Sequence, residues 1–552
     1  MKMKKILLNV AFIFVATVMG GCDSFFEIDT DDTLDDSKYI SEESEMYSGY
    51  MGIMTKMQAV GDKIIYLNEL RGEMVEPTAT APTELYSLYN YDDNLEGNAY
   101  ADPSGFYEVI NACNDYLRKL QTYKENNSIE MSRYKALVSS TLRVKAWTFM
   151  TIAKIYGKVV WVDKPMNSLR DLSKFKTLEL DDVMAACKNL LDIGFDDVDG
   201  TYETAWKDWV DPDTDVKASE YRRWDMMTPP YYALYGEICL WLGKYQKCIN
   251  LIQSEMNKRY SHSKGQSIAY LRSADLIGDW KRFYNNENPH DYESVSAIMY
   301  NYLNNQTNSL LKHFDSDYPN KYWLAPAEKA VTRFTDTEFG PLGTKEEDYR
   351  MGSTVKEYNN KWVICKFRPT SDAVRPAYRN DVFIYLYRGA DLYFMLAEAF
   401  NQLGKKNAVD ALINVGVEGY VDEFEKDAEG VLSGTWNGFT PHWTSSKTTY
   451  YLAGIPTIGN RPYGDNGLRA TMASRSLTNN IKSNDEEILK EMMLEMACEG
   501  KVYPAMIRMA KRYKDNSFMA KYISEKYEST GNAAAIRSKI MNGDYFIKWD
   551  LK

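Results

Sequence analysis

The sequence predicts a mostly α-helical protein made of stacked helical hairpins. Its clearest helical stretch covers residues 383–404, where apolar side chains recur every three or four positions. These side chains share one helical face: Leu386, Ala390, Tyr393, Ala397 and Phe400. Gly404 follows at the place where a left-handed glycine commonly ends a helix. Residues 229–252 have the same layout, with Gly243 closing the first of two helices.

The two stretches also share a small residue seven positions before the closing glycine, Gly236 in one and Ala397 in the other. Small residues let paired helices approach closely, and this layout resembles the tetratricopeptide hairpin. We therefore expect an all-α core of tetratricopeptide-like hairpins beside a loop-rich, aromatic face.

The remaining elements follow from periodicity and from turn-forming residues. Further helices are expected at residues 42–58, 105–119, 130–156, 177–191 and 486–511. Short strands are expected at residues 294–302 and 361–367. Irregular segments are expected at residues 81–103 and 200–224, with long loop insertions at about 260–380 and 420–480.

Composition limits the possible partners of the chain. The 552 residues are 44% hydrophobic and 26% charged, which is ordinary for a globular protein with a large core. The formal charge is -12, and it becomes -15 without the three lysines of the leader. Nucleic-acid binding needs a basic surface, so this balance argues against a nucleic-acid partner. The 42 Tyr and 12 Trp residues are the unusual feature, because many of them lie in polar, loop-like surroundings.

The N-terminus has the pattern of an export signal. Lys2, Lys4 and Lys5 precede an apolar stretch that is too short to cross a bilayer comfortably. The stretch ends in Gly20-Gly21-Cys22, which resembles the lipobox of bacterial lipoproteins. We therefore expect Cys22 to be the lipid attachment site and the new N-terminus. The alternative is an ordinary signal peptide followed by a chance cysteine.

This leader sets the expected domain organisation. Residues 1–21 are interpreted as a lipoprotein signal peptide, and residues 22–40 as a lipid-anchored acidic tether. Residues 41–552 are expected to form a single helical domain. The six cysteines beyond Cys22 show no CxxC pair and no partnering histidine spacing, so neither a zinc site nor a redox motif is supported.

Residues 81–103 carry the best candidate binding chemistry. Sugar rings present apolar faces that stack on aromatic rings, while their hydroxyl groups need polar partners. This segment supplies both, and Arg71 lies just upstream. The candidates from this part of the chain are Arg71, Tyr86, Tyr89, Asn90 and Tyr91. The alternative for each aromatic ring is packing beneath a long loop.

Motifs of catalysis and metal binding are not found. The sequence lacks HExxH, G-x-S-x-G, a P-loop and G-x-G-x-x-G, and its four histidines are far apart. Residues 211–215 resemble the start of a calcium loop, but Val216 and Arg222 replace its required Gly and Glu. Asp92 and Asp93 are one of many acidic pairs that a glycoside hydrolase could use. No catalytic residue, metal or cofactor is therefore predicted.

Four blocks of sequence resemble the SusD/RagB-like outer-membrane lipoproteins of Bacteroidetes. In chain order they are ELRGE at residues 69–73, then Tyr107, Ile110 and Asn114, then KAWTFM through YG at residues 145–157, then Arg388, Ala390 and Asp391 with AEA at residues 397–399. They match the family's E-L-R-x-D, Y-x-x-I-x-x-x-N, R-A-x-x-Y-F…Y-G and R-x-A-D…A-E-A stretches. Glu73 stands for Asp, and Lys145 stands for Arg.

The later blocks depart from the family pattern. Residues 413–416 lack the usual arginine, and Met492 and Val502 stand where arginines are usual in the block of Glu491, Glu495, Glu499 and Gly500. These positions resemble structural ion-pair positions. The departures therefore indicate a divergent branch of the family.

The resemblance implies capture of oligosaccharides at the cell surface and their delivery to a SusC-like TonB-dependent transporter, without catalysis. It implies lipid anchoring on the outer membrane and ligand contacts in the central irregular region, where the candidates are Trp280, Tyr284 and Trp323. A peptide ligand is the alternative within the family. A surface glycoside hydrolase is the alternative from another class, and a purely structural scaffold is the third.

Overall fold

The computed structural model describes residues 43–192, 226–261, 284, 294–340, 346–368, 379–443, 450–452, 455–456, 467–469 and 472–549. The chain divides into two compact units, Met1–Gly52 and Ile53–Lys552. In the first unit the described residues are 43–52, which begin helix α1 (Glu43–Gln58). The expected signal peptide, Cys22, the tether and the calcium-like segment lie outside the described residues, so their interpretation stays a prediction.

The first half of the second unit is a run of helices with three short strands. Its elements are α2 (Gly61–Arg71), β1 (Val75–Pro77), α3 (Thr83–Tyr89), α4 (Ser104–Glu125), α5 (Met131–Tyr156), β2 (Lys158–Val160), β3 (Thr177–Glu179) and α6 (Leu180–Leu191). Helix α5 packs against both α4 and α6. Gly157, with φ of +75°, ends α5 in the left-handed conformation that its position predicts.

The second predicted hairpin is confirmed by helices α7 (Tyr231–Trp241) and α8 (Tyr245–Ser261), which pack against each other. Gly243 between them has φ of +67°. A Cβ atom on Gly236 would lie 3.3 Å from Cδ1 of Ile252, so the small residue does allow the two helices to nest closely.

The central, loop-rich part contains short elements. They are β4 (Ser294–Ile298), α9 (Leu310–Phe314), β5 (Leu324–Pro326), α10 (Glu328–Thr332), α11 (Met351–Thr354), β6 (Val355–Tyr358), β7 (Lys361–Ile364) and β8 (Ile384–Arg388). Strands pair antiparallel as β1 with β5, β2 with β3, β4 with β8, and β6 with β7. Both predicted strand segments, at 294–302 and 361–367, are confirmed.

Helices return in the C-terminal part. The elements are α12 (Gly389–Gln402), α13 (Lys406–Asp410), β9 (His442–Trp443), β10 (Tyr450–Leu452), β11 (Ile455–Pro456), α14 (Ile481–Glu495), α15 (Val502–Tyr513), α16 (Ser517–Glu525) and α17 (Ala533–Met541). Helix α12 lies centrally, because α8, α13 and α14 all pack against it. The mostly helical, tetratricopeptide-like fold that the sequence predicts is therefore confirmed.

Four element predictions are wrong in part. The helix expected at residues 486–511 is divided into α14 and α15, with residues 496–501 between them. Residues 384–388, expected to begin the helix through Gly404, form strand β8, which is buried throughout and pairs with β4. The helix starts afterwards because the Asp391 carboxylate accepts a hydrogen bond of 2.8 Å from the Arg388 backbone N–H and caps its first turn. Residues 83–89, expected to be irregular, form α3, and residues 177–179, expected to be helical, form β3.

The core of the C-terminal part holds an unusual number of buried charges. Glu495 lies between two arginines, with its carboxylate oxygens 2.9 Å from Arg388 Nη1 and 2.9 Å from Arg350 Nη1. Glu499 accepts from Arg388 Nε at 2.9 Å and from Lys366 Nζ at 2.5 Å. All five side chains are buried, so each charge depends on its partners for compensation.

Glu491 extends this network by one helical turn. Its carboxylate lies 2.8 Å from Arg350 Nη1, 3.2 Å from Arg469 Nη1 and 2.6 Å from Arg475 Nε. Asp348 pairs with Arg350 at 2.8 Å and with Arg469 at 3.3 Å. The glutamates that resemble family positions therefore do form structural ion pairs, and the arginines reach them from distant parts of the chain.

These ion pairs predict a loss of stability in acid. Burial alone raises the pKa of Glu499, but Arg388 and Lys366 outweigh burial and hold its pKa at about 2. Arginine or lysine partners likewise hold the pKa values of Glu398 and Glu237 at about 2 against the effect of burial. Each of these carboxyl groups has a pKa of about 2 in the folded protein, below the ordinary value of 4.5. Between these two pH values the unfolded chain therefore binds more protons than the folded protein. Stability is therefore present above pH 4.5 and is lost as pH falls towards 2.

Urea unfolding at a series of pH values checks this prediction. The midpoint is expected to fall steadily from pH 4.5 to pH 2.5, and a Glu398→Gln variant is expected to show a shallower fall because it has one fewer titrating carboxylate. A midpoint that stays constant over this interval would show that the carboxylates are not held in their charged forms.

The six cysteines beyond Cys22 are all buried and free of disulfides. Burial raises the pKa of Cys113 to about 12 and that of Cys239 to about 11, so these thiols are packing groups and not nucleophiles.

Within the part of the chain that the structure describes, every helix is too short or too polar to cross a membrane.

Candidate ligand-binding site

Arg71 and Tyr91, both predicted to contact a ligand, lie inside the protein. The Arg71 guanidinium sits 3.9 Å from the centre of the Tyr91 ring and donates a hydrogen bond of 3.2 Å to the backbone oxygen of Phe546. The Tyr91 hydroxyl donates to the backbone oxygen of Arg71. Both side chains are buried, so here they join α2 to the C-terminal segment. A ligand contact for either of them stays an untested prediction.

Tyr89 and Tyr284 are also buried. The Tyr89 ring packs on Tyr527 with ring centres 4.4 Å apart, and the Tyr284 ring meets Phe367 edge-on at 5.1 Å. Both rings pack inside the protein, as the alternative from sequence describes, and a ligand contact for either of them stays an untested prediction. Trp280 lies outside the described residues, and its role stays a prediction.

Three predicted residues reach the surface. Tyr86 and Trp323 are half-buried, and Asn90 is exposed at the C-terminal end of α3. Tyr86 and Trp323 come from parts of the chain more than two hundred residues apart, yet the structure brings them to one place. The antiparallel pairing of β1 with β5 does this, because residues 75–77 face residues 324–326.

Thr78 connects these residues at the end of β1. Its backbone N–H donates to the Trp323 backbone oxygen at 2.8 Å, and its hydroxyl donates to the Tyr322 backbone oxygen at 2.6 Å. The Thr78 backbone oxygen accepts from the Tyr86 hydroxyl at 2.9 Å. A single threonine therefore fixes three aromatic residues relative to one another.

Tyr322 links these residues to the β6–β7 hairpin, which carries the fourth aromatic residue, Trp362. Its hydroxyl donates to the backbone oxygen of Trp362 at 2.6 Å. Tyr322 has φ of +50°, a conformation that is a true outlier for a bulky side chain. Such strain persists where surrounding structure enforces it, and it is concentrated at functional sites. We call Tyr86, Tyr322, Trp323 and Trp362 the ring cluster.

The indole of Trp323 packs against a buried histidine, which in turn contacts two tyrosines. The His313 ring stacks on it with centres 4.9 Å apart and an angle of 26° between planes. Burial lowers the pKa of His313 to about 3, and the positive charge of Lys312 contributes, so the imidazole is neutral at physiological pH. Tyr66 meets His313 edge-on at 4.6 Å, and the Tyr100 hydroxyl lies 3.3 Å from His313 Nε2. A rigid, neutral stack therefore holds Trp323 at the surface.

Sequence reasoning missed Tyr322, Trp362 and two neighbouring rings, Tyr318 and Tyr358. Tyr318 is 95% exposed, and Tyr358 is 39% exposed on the β6–β7 hairpin. A signal was present, because residues 318–323 read YPNKYW and place three aromatic residues beside a lysine and turn-forming residues. Aromatic residues in such a polar, irregular segment lack the periodicity of core packing.

A second concave feature lies between helices α5, α7, α12 and α15. It is a cavity of about 90 Å³, well below the roughly 300 Å³ of ordinary ligand pockets. Its charged groups are already paired, Asp391 with Lys501 at 3.0 Å and Glu237 with Lys154 at 2.9 Å. This cavity is too small for an oligosaccharide and belongs to the ion-paired core.

The tetratricopeptide-like hairpins and the half-exposed aromatic surface together define the class of this protein. It is a helical-repeat protein with a candidate binding surface. A sequence model of the SusD family matches residues 203–546, which is more than half of the chain. The chain therefore belongs to the SusD family. No significant match was found among curated protein sequences.

Solved structures show the same fold at low sequence identity. A SusD superfamily protein from Bacteroides vulgatus has a TM-score of 0.60 at 13% identity, covering 92% of this chain and 95% of that one. Surface glycan-binding protein A from Bacteroides uniformis has a TM-score of 0.57 at 13% identity, covering 92% and 94%. A laminarin-binding SusD-like protein has a TM-score of 0.54 at 15% identity, covering 90% and 95%.

Proposed function

We propose that this protein binds oligosaccharides at the ring cluster and passes them to a TonB-dependent transporter of the outer membrane. The observation that carries the proposal is the set of hydrogen bonds through Thr78 and Tyr322 that joins the segments carrying Tyr86, Tyr322, Trp323 and Trp362, all four of them half-buried. Half-exposed rings held by hydrogen bonds present flat apolar area at little entropic cost, which suits the apolar faces of sugar rings. Family membership and the names of two structural neighbours, one glycan-binding and one laminarin-binding, support the same ligand class.

The delivery step and the anchor rest on weaker support. Delivery to a SusC-like transporter follows from the family alone. Anchoring to the outer membrane through Cys22 follows from the resemblance of residues 19–22 to a lipobox. Co-purification of a TonB-dependent transporter with the tagged protein from solubilised outer membranes would test both parts together.

A glycoside hydrolase is less well supported by the acidic residues. Asp93, one of the pair considered from sequence, accepts a hydrogen bond of 2.6 Å from Lys548, which lowers the pKa of its carboxyl group. A general acid of a glycosidase needs the opposite shift, towards a raised pKa. Among the described residues, no group of three histidine, cysteine, aspartate or glutamate side chains is placed to hold a metal ion.

A glycan panel tests the proposed function directly. The purified mature protein is titrated with neutral and acidic oligosaccharides and with unrelated peptides, and heat of binding and product formation are both measured. We expect at least one glycan to bind with a dissociation constant in the micromolar to millimolar range and to be recovered intact, since the proposed function is capture without chemistry. Turnover of a glycan would favour the hydrolase, and binding of peptides alone would favour the peptide-binding alternative.

A further inference from the structure

Lysines surround the ring cluster although the protein as a whole is acidic. Lys312, Lys321 and Lys361 are all exposed. Within the described residues none of the three forms an ion pair, in a chain whose formal charge is -12. We call them the lysine rim. What sets these three lysines apart is their position beside the aromatic residues of the ring cluster.

Two lysines of the rim lie beside rings of the cluster, and the third is bonded through its backbone to one of them. Lys312 Nζ lies 5.2 Å from the centre of the Trp323 ring, and Lys361 Nζ lies 5.2 Å from the centre of the Tyr322 ring. The backbone N–H of Lys321 donates to the backbone oxygen of Lys312 at 2.8 Å, so the two lysines lie on neighbouring segments of the chain. The ammonium groups of Lys312 and Lys361 therefore lie beside rings of the cluster, and Lys321 is adjacent to Lys312.

The acidic groups nearby do not neutralise the rim. Asp315 and Asp317 both pair with Arg368, whose guanidinium also lies 5.1 Å from the centre of the Tyr358 ring. Glu76, whose charge acts on Tyr322, is partly buried, and burial raises its pKa although Lys526 opposes this. Glu357 is exposed opposite Trp362 on the β6–β7 hairpin, and the charge of Glu328 acts on Glu76. Among the described residues, these carboxylates form no ion pair with Lys312, Lys321 or Lys361.

We infer that the ligand of the ring cluster is an acidic oligosaccharide, whose carboxylate or sulfate groups are bound by Lys312, Lys321 and Lys361 while its sugar rings lie on the aromatic side chains. This inference rests on the proposed function and specifies its ligand. A neutral glycan would leave three ammonium groups unpaired beside a docked ligand. An anionic one satisfies them with charge-assisted hydrogen bonds.

Two matched pairs of probes test the inference. The first pair is a galacturonic acid pentasaccharide and its methyl ester, and the second is a sulfated galactan tetrasaccharide and its desulfated form. Within a pair the rings are the same and only the charge differs. We expect the charged member of at least one pair to bind about tenfold more tightly at low salt, which is about 1.4 kcal/mol, and to lose this advantage at 0.5 M NaCl. The pair that responds identifies the carboxylate or the sulfate as the source of the charge.

A triple variant assigns the effect to the rim. K312Q/K321Q/K361Q is expected to lose the tenfold advantage of the charged probe, while Lys406→Gln, which changes another exposed lysine without an ion-pair partner, is expected to keep it. Equal binding of charged and uncharged probes, or an advantage that survives in the triple variant, overturns the inference but leaves the proposed function standing. If neither these probes nor any glycan of the panel binds, both fall.

Discussion

Replacing Glu495 by alanine is expected to destabilise the protein by about 3–5 kcal/mol, the typical cost of leaving a buried charge without its partner. Glu495 holds Arg388 and Arg350 at 2.9 Å each, and all three side chains are fully buried. The substitution leaves both guanidinium groups with fewer compensating charges in a region that water does not reach. The midpoint of urea unfolding measures the effect.

An exposed ion pair supplies the matched control. Asp93 pairs with Lys548 at 2.6 Å, but both side chains are more than half exposed. Removing the carboxylate with Asp93→Ala is expected to cost less than about 1 kcal/mol, because solvent already screens the pair. Similar midpoints for the Glu495→Ala and Asp93→Ala variants would show that the buried network does not carry the stability assigned to it.

Replacing Trp323 by alanine is expected to weaken glycan binding by about 30-fold or more, equivalent to about 2 kcal/mol, which is the scale of a central aromatic contact. Trp323 is bonded through its backbone to Thr78, which follows β1, His313 stacks on its ring, and Lys312 Nζ lies 5.2 Å from the ring centre. Removing the indole takes away contact area and the group that His313 and Lys312 pack against. Isothermal titration with the tightest glycan of the panel measures the loss.

Trp161→Ala is the control for lost packing. Trp161 is half-buried like Trp323 and stacks on Phe149 with ring centres 4.1 Å apart, but it lies beside β2, where its backbone N–H bonds to Lys176. Its removal is expected to lower stability and leave binding within about twofold of the wild type. Unchanged binding by a folded Trp323→Ala variant would remove this residue from the site.

Much of the helical fold was predictable because its signals are local. Helical periodicity and the closing glycines Gly157, Gly243 and Gly404, all with positive φ, mark the helices of three hairpins. Residues 384–388 were misassigned because a short, continuous apolar run fits a buried strand as well as a buried helix. Only the distant partner strand β4 decides between the two, and sequence does not show that pairing.

The candidate site was predictable only in part. Tyr86 was proposed from aromatic residues in polar surroundings and Trp323 from the family resemblance, and the pairing of β1 with β5 brings their segments together. Whether either residue contacts a ligand stays a prediction. Arg71, Tyr89 and Tyr91 have the same local composition but are buried, because a tyrosine hydroxyl can also find its partner inside the protein. Local sequence does not distinguish a buried, hydrogen-bonded tyrosine from an exposed one. The contacts that assemble the ring cluster join β1, β5 and β7, which are far apart in the chain.

The buried ion pairs show the same limit. Glu491, Glu495 and Glu499 resembled structural positions from their spacing, but their partners could not be named. Arg350 and Arg388 lie more than one hundred residues upstream of Glu495. The arginines that are usual at positions 492 and 502 are absent here, and side chains from elsewhere in the chain provide the positive charge.

The position of a bound sugar tests the central claim most directly. A crystal structure of the mature protein with the tightest glycan of the panel is expected to show a sugar ring in contact with Tyr322 or Trp323, and an acidic group of that glycan within hydrogen-bonding distance of a rim lysine. A glycan bound elsewhere, with the ring cluster left bare, would contradict the assignment of this surface as the site of capture.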